Sequence, residues 1–299
     1  MSGLSAAEQT QINLSVGAVV VSNNLSYLAM GIVLCAAWTY FSKFPTDRWW
    51  FKALVILCVS MCICDTIATG IWTYDWAVAN YANPASLAFI HWAIPVDGFL
   101  MAMCSLTVQL FYAWRLWIMS MRKNWILPVV VGCLSILSWC IGCWTLYILA
   151  THKLISDLAL LPPVVYIWLG GSVGADILIT SSMIYYLDLR FRVKPHKTQQ
   201  DHRLPGRFRK LIVLTMECNI LSLLVQSIGV GLFNRSSVGL YFVSMDMTLA
   251  KVYTFSLLVS LNSRHSDNGP GTSYVSRREG GLVELTVLHT SSFPSTGDS

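Results

Sequence analysis

Charged residues are scarce in this chain. Asp, Glu, Lys and Arg make up 12% of its 299 residues, whereas a typical soluble domain has roughly 25%. Hydrophobic residues make up 55%. This composition excludes an ordinary soluble domain, because such a domain needs far more charge on its surface.

Cysteine is missing from every polar stretch of the chain. All nine cysteines lie in apolar segments, where free cysteine behaves as a small core residue. Cys140 and Cys143 have the spacing of a metal or redox pair, but no second pair or nearby His completes a site. We therefore expect no metal site, and no disulfide between outer loops.

Seven apolar segments dominate the sequence, each long enough to cross a hydrocarbon core of about 30 Å as a helix. We predict an all-α bundle of seven transmembrane helices over residues 16–262, with a short segment before it (1–15). Residues 263–299 are rich in Ser, Gly and Thr and predict a disordered tail. The expected spans are 16–41, 53–76, 91–117, 125–150, 163–189, 209–233 and 238–262.

Lys and Arg fall on alternate sides of these spans. Seventeen lie on one side, two (Lys153 and Arg235) on the other, and Lys251 lies inside a span. Cytoplasmic loops carry the excess of Lys and Arg, so we predict an extracellular N-terminus and a cytoplasmic tail. Asn13 and Asn234 are glycosylation sequons on the predicted outer side. The sequence leaves open their modification, and whether the membrane is the plasma membrane or an endomembrane.

Ionisable side chains inside the spans are the main candidates for a functional site: Asp65, Asp97, Asp176, Glu217, Asp246 and Lys251. A charge near the bilayer centre costs roughly 2.5–3.5 kcal/mol on insertion scales. We therefore expect these groups to face the interior of the bundle.

Lys251 is the only cation at this depth. Asp246 lies five residues before it, which places the two side chains roughly 140° apart around the helix. The partner of Lys251 should therefore come from another helix, and Asp65 and Asp176 match it in depth. The cluster is interpreted either as pairs that fix helix packing or as the lining of a path for a ligand, an ion or a proton. Retinal attachment at Lys251 is disfavoured by the surrounding sequence, and no cofactor is expected.

Five strings of the sequence carry a family resemblance: CDTIATGIWTYDWAVANYANP (64–84), VQLFYAWRLW (108–117), YIWLGGSVGADILITSSMIYYL (166–187), RKLIVLTMECNILSLL (209–224) and AKVYTFSLLVSLNSRH (250–265). They resemble, in this order, the signatures of a fungal family of seven-helix membrane proteins, the domain-of-unknown-function family 6534. The resemblance covers about residues 15–265, and its most specific part is the seventh-span pattern from Lys251 to Arg264.

The resemblance implies an integral membrane protein without an established activity. It maps recurring polar positions onto Asp65, Thr66, Asp176, Lys251, Tyr253, Asn262 and Arg264. Arg115 joins Asn262 and Arg264 at the predicted cytoplasmic ends of the spans. One position departs from the family pattern, because Ala68 stands where a histidine is expected, which argues against a shared proton relay or metal site there.

Two further features suggest partners besides the lipid bilayer. The basic stretch 190–210 is suited to anionic lipid at the cytoplasmic surface, although an orientation signal alone explains it too. Gly170 and Gly174 form a small-residue motif that suits close helix packing, either inside the bundle or between two copies. Nothing indicates nucleic-acid binding.

Three classes of function remain. A receptor-like protein of unknown ligand fits the predicted topology best, although known receptor strings are absent. A transporter of a small solute, proton or ion fits the buried carboxylates and Lys251, but no inverted repeat is visible. A structural or accessory role is the third. We expect no enzymatic activity, because no nucleophile or zinc motif appears.

Overall fold

A computed structural model of the chain describes residues 12–81, 89–120, 125–151, 162–192, 203–233 and 243–264. These residues form seven α-helices: α1 (Ala18–Lys43), α2 (Trp49–Tyr74), α3 (Ala93–Met119), α4 (Ile126–Thr151), α5 (Pro162–Arg192), α6 (Arg203–Phe233) and α7 (Val243–Asn262). One-turn π-helices, Asn13–Gly17 and Asp75–Ala79, adjoin α1 and α2. The predicted all-α class is confirmed, and each predicted span coincides with one helix.

Five of the helices are long and apolar enough to cross a membrane, so the chain has the character of a multi-pass membrane protein. Among the described residues, α6 contributes only a shorter apolar stretch, Glu217–Leu232. Helix α7 is twenty residues long and includes Asp246, Lys251 and several Ser and Thr. That α6 and α7 also span the bilayer therefore stays a prediction. The five candidate spans are Leu14–Lys43, Trp49–Ala79, Ala93–Met119, Ile126–Thr151 and Pro163–Tyr186.

Large apolar side chains cover the outer faces of the helices, including Leu28, Trp38, Ile67, Trp144 and Ile228. A contiguous apolar exterior of this kind is stable in lipid and unfavourable in water. This surface is consistent with contact between the helices and the bilayer.

Helix α7 lies in the interior of the bundle. Fourteen of its twenty residues are buried, and it packs against α1, α2, α3 and α6. Because neighbouring helices shield it from its surroundings, its polar side chains can be satisfied within the protein. This central position explains how a helix of low hydropathy belongs to an otherwise apolar bundle.

One end of α7 is closed by a small apolar cluster, which we call the apolar cap. It joins side chains of four helices and the π-turn after α2, and the N-terminal residues of α7 form part of it. Its buried members are Val19, Ala68, Trp72, Trp76, Ala93, Val243 and Met247. The cap lies at the end of the bundle that the Lys and Arg count predicts to be outside.

The prediction that Gly170 makes a close helix contact inside the bundle is wrong. The next residue, Gly171, makes the close approach instead. Gly170 is exposed, and a Cβ added there would meet nothing within 4 Å. A Cβ on Gly171 would lie 3.3 Å from the side chain of Ser138 in α4, whereas Gly174 meets only Leu134 at 3.8 Å. The packing face of α5 is therefore one residue away from Gly170, because successive residues point about 100° apart.

The interpretation of every cysteine as a core residue is also wrong. Cys58, Cys62, Cys104 and Cys218 are buried, but Cys35, Cys64, Cys133 and Cys140 are exposed on the outer faces of their helices. A thiol is apolar enough to face lipid as readily as a core.

The polar segments at the ends of the bundle are described only in part. Helix α5 continues to Arg192 and α6 begins at Arg203, so the basic stretch 190–210 is partly helical, while residues 193–202 lie outside the described residues. Asn234 and residues 265–299 lie outside them as well. Asn13 begins a π-turn, and nothing is described of its side chain.

Candidate functional site

Lys251 of α7 forms an ion pair with Asp65 of α2 in the interior of the bundle. Its ammonium group donates to Asp65 Oδ2 and to the backbone carbonyl of Met247, the latter at 2.9 Å. The side chains of the pair are 0% and 1% exposed. An ammonium and a carboxylate that are both buried away from water need such direct contact, because their mutual attraction and further hydrogen bonds must offset the loss of hydration. Asp176, the alternative partner, bonds elsewhere.

Two further carboxyl groups lie near this ion pair. Asp97 of α3 is 3% exposed, and Asp246 of α7 is half-buried. Asp97 interacts electrostatically with Asp65, Asp246 and Lys251. One oxygen of Asp65 and one of Asp97, Oδ1 in both, are buried and have no hydrogen-bond partner among the described residues. We call these four residues the acidic cluster.

Asp176 of α5 is the centre of a second polar group. Its carboxylate accepts hydrogen bonds from Tyr253 Oη at 2.6 Å and from Gln109 Nε2 at 3.0 Å. Gln226 Nε2 donates to Tyr253 Oη at 2.7 Å and to Ser172 Oγ at 3.0 Å. The network joins four helices: the Asp176 carboxylate of α5 accepts directly from α3 and α7, and α6 is joined through Tyr253 and Ser172.

A cavity of about 10 Å³ lies beside this network, lined in part by Gln109, Ser135, Trp139 and Gln226. The indole N–H of Trp139 and the Oε1 atom of Gln226 are buried and have no partner. A space of this size is at the lower limit for one water molecule, and a donor and an acceptor without partners are what such a water would bridge. It is too small for an organic ligand.

Polar contacts continue along α7 towards its C-terminal end. Thr254 Oγ1 lies 3.1 Å from the sulfur atoms of both Cys62 and Cys104. Further on, Ser256 hydrogen-bonds with Tyr112, and Ser260 accepts from Arg115. Together with Lys251 and Tyr253, whose contacts are described above, these side chains form a row along α7 that we call the polar ladder. Its members are Lys251, Tyr253, Thr254, Ser256 and Ser260.

At the end opposite the cap, Arg264 fastens α7 to the α1–α2 connection. Arg264 Nη2 donates to Asp47 Oδ2 at 2.5 Å, and its guanidinium lies 4.4 Å from the ring centroid of Phe51. Tyr40 Oη donates to the same oxygen of Asp47 at 2.8 Å. Partial burial opposes the charge on Asp47, but the hydrogen bonds from Tyr40, Arg264 and the Arg48 backbone outweigh it, and the pKa of Asp47 lies below its ordinary value.

The predicted site residues lie in different surroundings. Asp65 and Lys251 pair with each other, and Asp176 and Tyr253 form the second network. Arg115 and Arg264 make the contacts given above, while Asn262 donates to the carbonyl of Ala36 at 2.9 Å. Thr66 bonds only within its own helix, from Oγ1 to the carbonyl of Cys62 at 2.7 Å.

The prediction that Glu217 faces the interior is wrong. Glu217 is exposed on α6, on the same face as Ile220, Leu221 and Leu224, whereas Cys218, Asn219, Ser222 and Gln226 form the buried face. Residues 218, 222 and 226 are spaced four apart and therefore share one face of the helix, which is the buried one. Glu217 lies outside this series and points away from that face.

Sequence reasoning missed the residues that complete the networks. Gln109 and Gln226 are uncharged and therefore do not stand out among the ionisable groups of the spans. An amide inside an apolar span nevertheless needs a hydrogen-bond partner, as a charged group does. Asp47 and Tyr40 gave no signal, because one lies in a connection and the other near the end of a span.

The described residues contain no group of three or more His, Cys, Asp or Glu side chains that could hold a metal ion. The polar side chains of the site interact with one another through hydrogen bonds and ion pairs. Asp65, Asp97 and Asp246 approach one another closely enough to interact, but their geometry does not form a chelating set.

Residues 172–266 match the model of a family of unknown function, DUF6534. The resemblance expected from the sequence is thereby confirmed over this segment. The matched segment includes most of α5 and all of α6 and α7, and hence Asp176, Tyr253 and Lys251. Neither the curated proteins nor the solved structures contain a match to the chain. The match to this family of unknown function carries no activity with it.

Proposed function

We propose that the chain is a seven-span membrane protein of receptor-like topology, with its N-terminus outside and its C-terminus in the cytoplasm, and that α7 transmits changes between the two ends of the bundle. The observation that carries this proposal is the polar ladder. One buried helix hydrogen-bonds with α2, α3, α5 and α6 and continues into the Asp47–Arg264 pair.

A helix held by directional polar contacts is suited to switching. Each hydrogen bond or ion pair has a specific partner, so a small rotation or shift of α7 would exchange one set of partners for another. Apolar packing alone has no such specific partners and would not define two separate positions of the helix. The ladder runs from Lys251, in the middle of α7, to the C-terminal end of the helix, and the apolar cap covers the other end of the same helix. Both ends of the bundle are therefore connected to one helix. The ligand that would act at the cap end is unknown.

Hydrogen exchange by mass spectrometry tests the coupling. In the Lys251→Met variant, we expect faster exchange of backbone amides in residues 44–52 and 257–264, which lie towards the C-terminal end of α7, away from the apolar cap. Val131→Ala is the matched control, since Val131 is fully buried in α4 and its truncation removes core packing without touching α7. Transmission along α7 is wrong if both variants speed exchange in these segments equally.

Transport is the second candidate, and it is favoured by the two carboxylate oxygens of the acidic cluster without partners. Purified protein in liposomes would then carry protons or sodium ions down an imposed gradient, and Asp97→Asn would stop the flux. The receptor-like proposal expects no flux above that of empty liposomes. The enclosed position of Lys251 favours the receptor-like proposal.

Two partner proposals accompany the topology. The basic stretch 190–210 would bind anionic lipid, which a vesicle-binding assay with and without phosphatidylserine would detect as salt-sensitive binding. The open face at Gly170 would suit a second copy of the chain. A Gly170→Leu variant would then lose any dimer that the parent forms in detergent.

A further inference from the structure

The acidic cluster contains more negative than positive charge. Asp65, Asp97 and Asp246 face a single ammonium group, Lys251. If all four were ionised, two negative charges would remain uncompensated in a region of low dielectric constant. An uncompensated buried carboxylate is so unfavourable that the group takes up a proton or a cation instead.

The arrangement of helices gathers further polar atoms at this depth. Four side chains lie one turn from a member of the apolar cap on the same helix: Asn23 from Val19, Asp65 from Ala68, Asp97 from Ala93, and Lys251 from Met247. The Oδ1 atom of Asn23 and the Oγ atom of Ser26 are buried, and the part of the chain that the structure describes gives them no hydrogen-bond partner. The cap therefore closes over a layer of oxygen atoms with spare acceptor capacity.

The Oδ1 atoms of Asp65 and Asp97 are both buried and lack a hydrogen-bond partner within the described part of the chain, and the two carboxyl groups interact with each other. Two ionised carboxylates have only acceptors and cannot bond to each other. A single proton between them turns one carboxyl into a donor. Lys251 already occupies Oδ2 of Asp65, which leaves Oδ1, the atom without a partner, to accept.

We propose that Asp97 is a proton-binding site. The proton comes from water, forms an O–H bond on the Asp97 carboxyl group and is donated as a hydrogen bond to Asp65 Oδ1. Asp65 stays ionised between two donors, Lys251 and Asp97, and the cluster loses one of its two excess negative charges. This assignment does not depend on the proposed role of α7 in transmission.

Asp97 faces charged groups from two helices. Asp65 projects from α2, and Asp246 and Lys251 project from α7. The adjoining turn of α3 packs on α4 through Gly98, where an added Cβ would lie 2.6 Å from Leu146. This α4 contact contributes no charge. Removal of the proton therefore exposes Asp97 to two carboxylates and one ammonium.

Infrared spectroscopy of the full chain in detergent tests the assignment. We expect the carbonyl band of a protonated carboxylic acid at neutral pH, and we expect Asp97→Asn to remove it. Glu217→Gln is the matched control, because Glu217 is an exposed carboxyl group outside the cluster, and the band should persist in it. A band that survives in Asp97→Asn but disappears in Asp246→Asn would overturn the assignment.

Thermal unfolding gives a second, independent measurement. The folded protein would hold one proton more than the unfolded chain, so its free energy of unfolding should fall as pH rises. Asp97→Asn keeps a donor for Asp65 and should fold with a flatter dependence on alkaline pH, whereas Asp97→Leu removes the donor and should lower the melting temperature. If Asp97→Asn unfolds and Asp97→Leu does not, Asp97 is no donor.

Stabilisation by sodium ions at fixed pH, without the acid band, would assign a metal cation and overturn the proposal.

Discussion

Lys251 and Asp65, which are 186 residues apart in the chain, form an ion pair in the interior of the bundle. The pair joins α7 to α2 one turn below the apolar cap. The sequence indicates only that Asp65 and Asp176 both lie at the depth of Lys251, and in the structure Lys251 pairs with Asp65. The effect of a substitution at each of these residues on stability can therefore be predicted separately.

Lys251→Met should destabilise the protein by about 3–5 kcal/mol, because it leaves the Asp65 carboxylate buried without its counter-ion. The second substitution Asp65→Asn should restore much of the loss, because it removes the unmatched charge. Thermal unfolding in detergent measures both effects. Asp176→Asn is the matched control for the second substitution, and equal rescue by Asp176→Asn would show that Asp65 is not the partner.

Tyr253→Phe should lower the free energy of unfolding by about 1–3 kcal/mol, since it removes the donor to Asp176 and leaves buried polar groups without a partner. Tyr147, on the outer face of α4, is 70% exposed, so Tyr147→Phe should have almost no effect. The same unfolding measurement compares the two variants. A similar loss in both would mean that the hydroxyl of Tyr253 contributes nothing beyond its ring.

The contact of Asp47 with Arg264 predicts a dependence on acid. The folded-state pKa of Asp47 lies below its ordinary value, so its stabilising contribution is present above an ordinary Asp pKa of about 3.9 and is lost as pH falls below it. Melting temperatures between about pH 6 and pH 3 should fall less steeply for Asp47→Asn than for the parent. Parallel curves for the two proteins would contradict a role for the charge on Asp47.

Truncation should separate the tail from the end of α7. A chain that stops after His265 keeps Arg264 and should melt close to the parent, because the sequence of the tail offers no apolar face to pack. A chain that stops after Asn262 loses Arg264 and its contact with Asp47, and should melt lower. A large loss of stability in the longer of the two truncated chains would mean that the tail stabilises the bundle.

Orientation can be tested with epitope tags. The excess of Lys and Arg on one side predicts that an N-terminal tag is labelled on intact cells and that a tag after residue 265 is labelled only after permeabilisation. The opposite pattern would reverse the assignment of the apolar cap to the outer side.

Much of the helical architecture followed from the sequence, because apolar runs long enough for a bilayer leave few alternatives. The need to bury Asp65, Asp176 and Lys251 also followed, since an exposed charge in lipid is costly. The pairing of Lys251 with Asp65 could not be predicted, because the position of a residue along its helix gives only its depth in the bundle. The rotation of each helix about its axis decides which partner a side chain meets. Rotation also accounts for Glu217 and Gly170, whose side of the helix was predicted wrongly.

The polar character of α7 has a consequence for how the protein is made. A segment with Asp246, Lys251 and many hydroxyl groups gains little by entering lipid alone, whereas α1, α2 and α3 are apolar enough to do so unaided. On the proposed seven-span topology, α7 would therefore enter the membrane only after the earlier helices, including Asp65 of α2, are in place to receive it. Damage to α2 would then reduce the insertion of the C-terminal helix.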